Sequence, residues 1–277
     1  MGLNKKISLL KTLFWLSHQI EANWTKFFIY LIYITVRPTF TLLLMIFIYI
    51  AVSAVRGPDS EYGYFILVGQ AFYNLVGSGI IGIAYTFWDD KEHYKMLKYI
   101  YISNIKLSYY LFGRASYHFI EGLYPLIIAF ILGAYIIQYP IFELKPNFPL
   151  LFINIILGFI WITAFGFLVA SFLLFTTNYG WVVIDSIVAS LLLFGGVLYP
   201  TDILPYPLNI VAYYLPIKYW LDINRAVIKG IDIIYIFNDL IFILTLSIIY
   251  LIISLLIFKI SENIAKKKGL LDISVSF

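Results

Sequence analysis

Six long, nearly continuous apolar runs constrain this chain more than any other feature. They extend from about Phe27 to Val55, Tyr64 to Phe87, Ser108 to Ile137, Pro149 to Thr176, Trp181 to Tyr199 and Tyr235 to Ile260. A bilayer's hydrocarbon core is ~30 Å thick and a helix rises ~1.5 Å per residue, so ~20 apolar residues cross it. The runs are continuous rather than alternating with period two, which points to helices and not to barrel strands. The expected fold is therefore an all-α membrane protein with six transmembrane helices. Composition closes the alternatives. Of 277 residues, 62% are hydrophobic and 12% charged, against roughly 25% charged in a soluble domain. So few charges cannot cover so much apolar surface, which excludes a soluble enzyme, a disordered chain and a nucleic-acid binder. The chain has no cysteine, so disulfides, iron–sulfur ligation and thiol nucleophiles are excluded.

The segment before the first run places Ile7, Leu10, Phe14, Trp15, Ile20, Trp24 and Phe27 roughly at helical spacing, bracketed by Lys5, Lys6, Lys11 and Lys26. Ser17, His18, Gln19, Glu21 and Asn23 interrupt it too often for a cleavable signal. The pattern predicts an amphipathic helix lying in the membrane interface. Basic residues set the orientation. Thirteen lie on one expected side: the four lysines just named, then Lys91, Lys95, Lys98, Lys106 and Arg114, then Lys259, Lys266, Lys267 and Lys268. Five lie on the other: Arg56, Lys145, Lys218, Arg225 and Lys229. The bias predicts both termini in the cytoplasm. The expected organisation is an interfacial helix over 1–26, one six-span domain over 27–260 and a cytoplasmic tail over 261–277. The link around Thr177, Asn178 and Gly180 is minimal, whereas 200–232 is the longest connection. That connection is apolar and punctuated by Pro200, Pro205, Pro207 and Pro216, with Gly230 as a C-terminal cap. It predicts short helices that dip into or lie on the outer leaflet, ahead of the last span.

No Gly-Lys-Ser/Thr sequence occurs, so the chain carries no phosphate-binding loop of the kind that hydrolyses ATP. Three histidines without ligand spacing argue against haem and zinc. The acidic cluster Asp89-Asp90-Lys91-Glu92 has no second copy, as a diphosphate-binding prenyltransferase would need. No cofactor or metal is expected on this chain. Charges inside the runs cost at least ~2.5–3.5 kcal/mol each on insertion scales. Arg37, ahead of Pro38, can snorkel to the headgroups or line a path. Arg114, His118 and Glu121 are spaced four and three apart and so share one helix face, which predicts an internal ion-pair network or part of a substrate path. Asp185, near Asn178 and Ser186, is a candidate for an interface between subunits.

Together these pieces resemble the membrane subunit of a type-2 ABC (ATP-binding cassette) exporter. The most specific stretch is Gly195-Gly196-Val197-Leu198-Tyr199-Pro200, then Ile203-Leu204-Pro205, Tyr214-Leu215-Pro216, Tyr219 and Arg225. A second stretch is Trp88 to Gly113, similar to the family's first cytosolic loop. There His93-Tyr94 stands where that loop carries a Gly-bearing turn, and Ser103-Asn104 where it carries Ser-Pro. The resemblance covers residues 20–260. It implies a permease, not itself an enzyme, in the plasma membrane, paired with a second permease copy and two ATPase subunits that bind ATP and magnesium. It also implies a coupling helix in the first cytosolic loop. Trp88, Tyr94, Met96, Leu97 and Tyr99 would be its anchors, with Asp89, Asp90, Lys91, Glu92 and Lys95 as its charged rim. Reversing Asp90 and Glu92 to Lys is then expected to abolish coupling. The cargo would be drug-, lipid-, peptide- or glycan-like. An ATP-independent carrier or channel is the alternative.

Overall fold

The computed structural model describes residues 3–103, 105–140, 143–176 and 179–270. Among them the chain is helical with no strand, and it is a multi-pass membrane protein by the length and apolarity of its helices. In chain order the helices are α1 (Leu3–Glu21), α2 (Phe27–Arg56), α3 (Ser60–Glu92), α4 (Leu97–Ile102), α5 (Leu107–Glu121), α6 (Leu123–Ile136), α7 (Phe148–Leu173), α8 (Gly180–Phe194), α9 (Leu208–Tyr213), α10 (Pro216–Ile228) and α11 (Ile233–Lys267). A 3-10 turn, Thr201–Ile203, precedes α9.

Local chemistry sets several of these limits. The Asp59 carboxylate accepts hydrogen bonds from the Glu61 and Tyr62 amides, both at 3.0 Å, and so starts α3. Asn147 caps α7 through the Leu150 amide. The third apolar run is two helices rather than one, because Gly122 and Pro125 interrupt the ladder and Pro125 has no amide to offer Glu121. Gly230 sits at φ +79° just beyond α10, the left-handed conformation that ends helices and favours glycine. The link at 177–178, like Asn104 and 271–277, lies outside the described residues.

Five stretches are long and apolar enough to span: α2, α3, α5 with α6, α7 and α11. The fifth expected run becomes α8, only 15 residues, or about 22 Å of helix. The helices are not equivalent. Of the most apolar window in α3, 83% is buried inside the protein, against 17% for α2 and 22% for α11. So α3 is the central post, packed on α2, α5, α6, α7, α8 and α10, and α2 and α11 form the outer surface. The core between α3, α7 and α10 is aromatic: Trp220 meets Phe72 edge-on at 5.4 Å and Trp161 at 5.7 Å. Its backbone is satisfied too, since Asn154 and Trp220 bond each other's carbonyls at 3.0 and 2.7 Å.

The bundle has two distinct ends. At one, α1, α4, the start of α5 and the end of α11 gather: the Tyr109 hydroxyl donates to the Lys6 carbonyl at 2.7 Å, and the Tyr101 hydroxyl to Glu262 at 3.0 Å. At the other lie the α2–α3 turn, α9 and α10. Between Pro200 and Asp232 the chain indeed forms short helices, and α10 is buried against α3, α7 and α11.

Candidate functional site

A polar cluster joins three helices beside the α4 end. From α5, Tyr110, Arg114, His118 and Glu121 fall on one face at spacings of four, four and three. From α3 come Thr86 and Asp90, and from α1 come Ser17 and Glu21. Arg114, fully buried, forms an ion pair with the equally buried Asp90. Its Nε donates to Ser17 at 3.2 Å, and its Nη2 lies 3.9 Å from Glu21. Tyr110 completes the Asp90 carboxylate with a 2.9 Å hydrogen bond. One turn on, His118 Nε2 faces Thr86 at 3.2 Å and Glu21 at 3.9 Å, while its Nδ1 faces Glu121 at 3.2 Å. His118 fits because Gly82 stands opposite it: a Cβ there would collide with the imidazole. A ring of hydroxyls extends the cluster, with Tyr117 2.8 Å from Tyr30 on α2 and 3.3 Å from His18 on α1.

The cluster is a joint. It fixes the amphipathic α1 to the membrane bundle mainly through side chains, with the Ser17 hydroxyl also donating to the Arg114 carbonyl at 3.1 Å. Burial raises the Glu21 carboxyl above its usual range; His118 and Arg114 act against that shift, and Glu121 and Asp89 reinforce it.

Arg114, His118 and Glu121 thus come together, as their spacing predicts. Glu21, Ser17, Thr86 and Tyr110 complete the network and were not singled out from sequence. Tyr110 was readable there, being one turn before Arg114 on the same face. Glu21 was not, because in α1 it looked like an ordinary polar interruption. Arg37 and Asp185 do not join the network. Both lie exposed, on α2 and α8. Near them Tyr73 of α3 hydrogen-bonds the Val188 carbonyl of α8.

The Trp88–Leu97 segment differs from the expected docking rim. α3 runs on to Glu92, so the acidic cluster is the last turn of a buried helix rather than a loop. Asp89, Asp90 and Lys91 are buried; Lys91 pairs with Glu92 at 3.3 Å and His93 with Asp89 at 3.7 Å. Trp88 turns inward against Trp181 of α8, ring centres 6.1 Å apart, and Leu97 is buried with Met96 packed beside it. The reason is economy: with Arg114 buried nearby, Asp90 is worth more as its counter-ion than as a solvated charge. Reversing Asp90 would therefore break the fold before it tested any docking. What remains on the outside is Tyr94, Tyr99 and Ile102, exposed by 47%, 60% and 77%, with exposed Lys95 and Lys98 between them. The surface is apolar and basic rather than mixed in charge. The turn into α4 is made by Lys95 at φ 52°, which lets the Met96 amide reach back to the Asp90 carbonyl at 2.8 Å.

At the far end, Arg225 of α10 is buried and held differently. Its guanidinium donates to the Gly196 carbonyl at 2.8 Å and to the Phe65 carbonyl at 3.2 and 3.3 Å. It also pairs with Asp222 at 2.9 Å and lies 3.5 Å from the Phe65 ring centre. Tyr64 donates to the Arg225 carbonyl at 2.7 Å. α3, the turn after α8 and α10 are thereby tied together; a Cβ on Gly69 would collide with Val197 in this joint. Pro216 opens α10, Pro200 precedes the 3-10 turn, and Pro205 and Pro207 lie exposed between that turn and α9.

Among the described residues no group of histidines and carboxylates is arranged to hold a metal ion. Compared with known proteins, the chain matches no family model and no curated protein sequence.

Proposed function

We propose that the chain is the membrane-spanning permease subunit of an ABC exporter, with both termini in the cytoplasm and the plasma membrane as its site. On this reading it moves a drug-, lipid-, peptide- or glycan-like substrate outward, using ATP hydrolysed with magnesium on two copies of a separate ATPase subunit. The observation that carries the reading is α4. This short helix and the turn before it leave Tyr94, Tyr99 and Ile102 in solvent beside Lys95 and Lys98, the apolar centre and charged margin of a protein-docking surface. It also sits directly between α3 and α5, the helices joined by the Asp90–Arg114 pair, so a push on α4 reaches the joint with α1. Differential binding of the ATPase in its two nucleotide states then supplies the energy that the permease lacks.

A second permease copy belongs to the same proposal. Arg37 and Asp185 are residues of opposite sign exposed on α2 and α8, and with both helices in the bilayer their contact with lipid alone would be unfavourable. A partner copy offering the complementary charge removes that cost.

The test is purification of the chain from its native membranes in mild detergent. An ATP-binding-cassette subunit should be retained, and its ATP hydrolysis should fall at least tenfold when Tyr99→Asp and Ile102→Asp are combined. Unchanged ATPase activity in that variant would remove the docking assignment. Substrate flux in liposomes without nucleotide or ATPase would replace the proposal with an ATP-independent carrier or channel.

A further inference from the structure

A cleft of about 630 Å³ opens where α4, the start of α5 and the end of α11 meet. Its walls carry Lys106, Lys259 and Lys266 together with Tyr101 and Glu262, over the buried ring of Phe258. The charges are unequal. Glu262 is already engaged, by the Tyr101 hydroxyl at 3.0 Å and by Lys266 at 2.7 Å, and Lys266 also caps the Tyr101 ring at 4.2 Å. Lys106 and Lys259 have no ion-pair partner among the described residues. Two unopposed cations therefore share one recess.

The approach to the recess is apolar. Ile248, Ile252, Leu255 and Lys259 are spaced four, three and four apart, so they form one stripe along α11. The three apolar members are exposed. Leu255 and Lys259 both line the cleft, and Glu262 and Lys266 continue the stripe beyond them. An apolar track on the outer face of the bundle thus leads straight into a cationic pocket at the helix end.

We propose that this cleft holds the phosphate-bearing headgroup of an anionic phospholipid, with the acyl chains lying along the Ile248–Leu255 stripe. Lys106 and Lys259 neutralise the phosphate, and the Tyr101–Glu262–Lys266 set forms a polar wall for the glycerol hydroxyls. Basic pockets at the ends of membrane helices recognise anionic headgroups on this principle. Lysines acting only as interfacial anchors would have no preference among headgroups beyond their sign. A pocket does, and it also holds the lipid against dilution.

Native mass spectrometry of the full chain, released from detergent with matched phosphatidylglycerol or phosphatidylcholine, tests this. At about 1 kcal/mol for each of the two lysines, phosphatidylglycerol should be retained in preference by about 30-fold. Lys106→Gln with Lys259→Gln should abolish that preference. The paired Lys106→Arg, Lys259→Arg variant should keep it, and Lys145→Gln with Lys218→Gln at the far end should leave it unchanged. Equal retention of the two lipids by the unmodified chain, or an unaffected Gln pair, overturns the proposal. Displacement of the lipid by millimolar inorganic phosphate assigns the pocket to a free anion instead. The outcome is independent of whether an ATPase subunit co-purifies.

Discussion

Two arginines are buried in this bundle, one near each end, and they are satisfied in opposite ways. Arg225 binds mostly fixed groups: backbone carbonyls of Phe65 and Gly196, an aromatic face and a carboxylate on its own helix. The Arg114 guanidinium binds side chains only, from α1, α3 and its own helix. Carbonyls of packed backbone cannot be withdrawn without unfolding a turn. Side chains on a separately docked helix can. The far end is therefore a clamp, and the near end a joint whose partners can exchange. On the proposed permease reading, passing motion from an ATPase into the membrane helices needs the second kind at the end where that subunit docks.

The sharpest way to break the contrast is Asp90→Ala. It strands a fully buried guanidinium and should cost about 3–5 kcal/mol, read as unfolding in mixed micelles. Replacing Asp90 and Arg114 together by Leu and Met should recover most of that loss, because the stranded charge goes with its partner. Failure of the double variant to recover would mean the pair does more than compensate itself.

Arg225→Met comes next. It removes the donors of two buried carbonyls at about 1–3 kcal/mol per unsatisfied group, yet strands no buried charge, since the Asp222 side chain is 44% exposed. A loss near 2–3 kcal/mol is expected, with Asp222→Asn costing less than about 1 kcal/mol. If Asp222→Asn matched Arg225→Met, the clamp would be an ion pair and not a backbone tie.

The joint should respond to mild acid. The Glu21 carboxyl is raised by burial, so the docked state binds its proton more tightly than the undocked one. Its contribution is complete below the ordinary glutamate range and is lost as pH rises through the raised value. The protection factors of the α1 amides, which remove the intrinsic slowing of exchange in acid, should thus rise as pH falls towards that range. Glu21→Gln should flatten the response. His118, Arg114, Glu121 and Asp89 face the same group, and a response that survives in Glu21→Gln would overturn its assignment to Glu21.

The smallest effect concerns the turn that leads out of the joint. Lys95 adopts a left-handed conformation that costs an ordinary residue about 1–2 kcal/mol. Lys95→Gly relieves this but loosens the unfolded chain, and should change stability by less than about 1 kcal/mol. Lys95→Val should lose more than Lys95→Gly gains.

How much of this was legible beforehand follows the same division. Apolar runs are long and redundant, so the long helices start within a few residues of their expected limits, whereas α3 and α11 run on past theirs to Glu92 and Lys267 and α8 stops short at Phe194. The face carrying Arg114, His118 and Glu121 was equally plain, because its order lies within one helix. The role of Asp90 was not. Its neighbours in sequence are Asp89, Lys91 and Glu92, which look like a solvated cluster; its partner lies 24 residues away on another helix. Exposed and buried charges read alike in a chain until the counter-charge is placed in space. The Gly122–Pro125 break was similarly hidden, since apolarity continues unbroken across it.

The shortness of α8 reaches back to how the protein is made. Its 15 residues provide about 22 Å against ~30 Å of hydrocarbon, and its exposed face carries Asp185, Ser186 and Ser190. Such a segment has little claim on an insertion machinery that reads each stretch as it emerges. On the proposed six-span reading it enters as the returning arm of a hairpin behind α7, held by Tyr73 and Trp88 of α3. On that reading its place in the bilayer belongs to the assembled bundle, and a chain that misplaces α3 would lose α8 to the aqueous side.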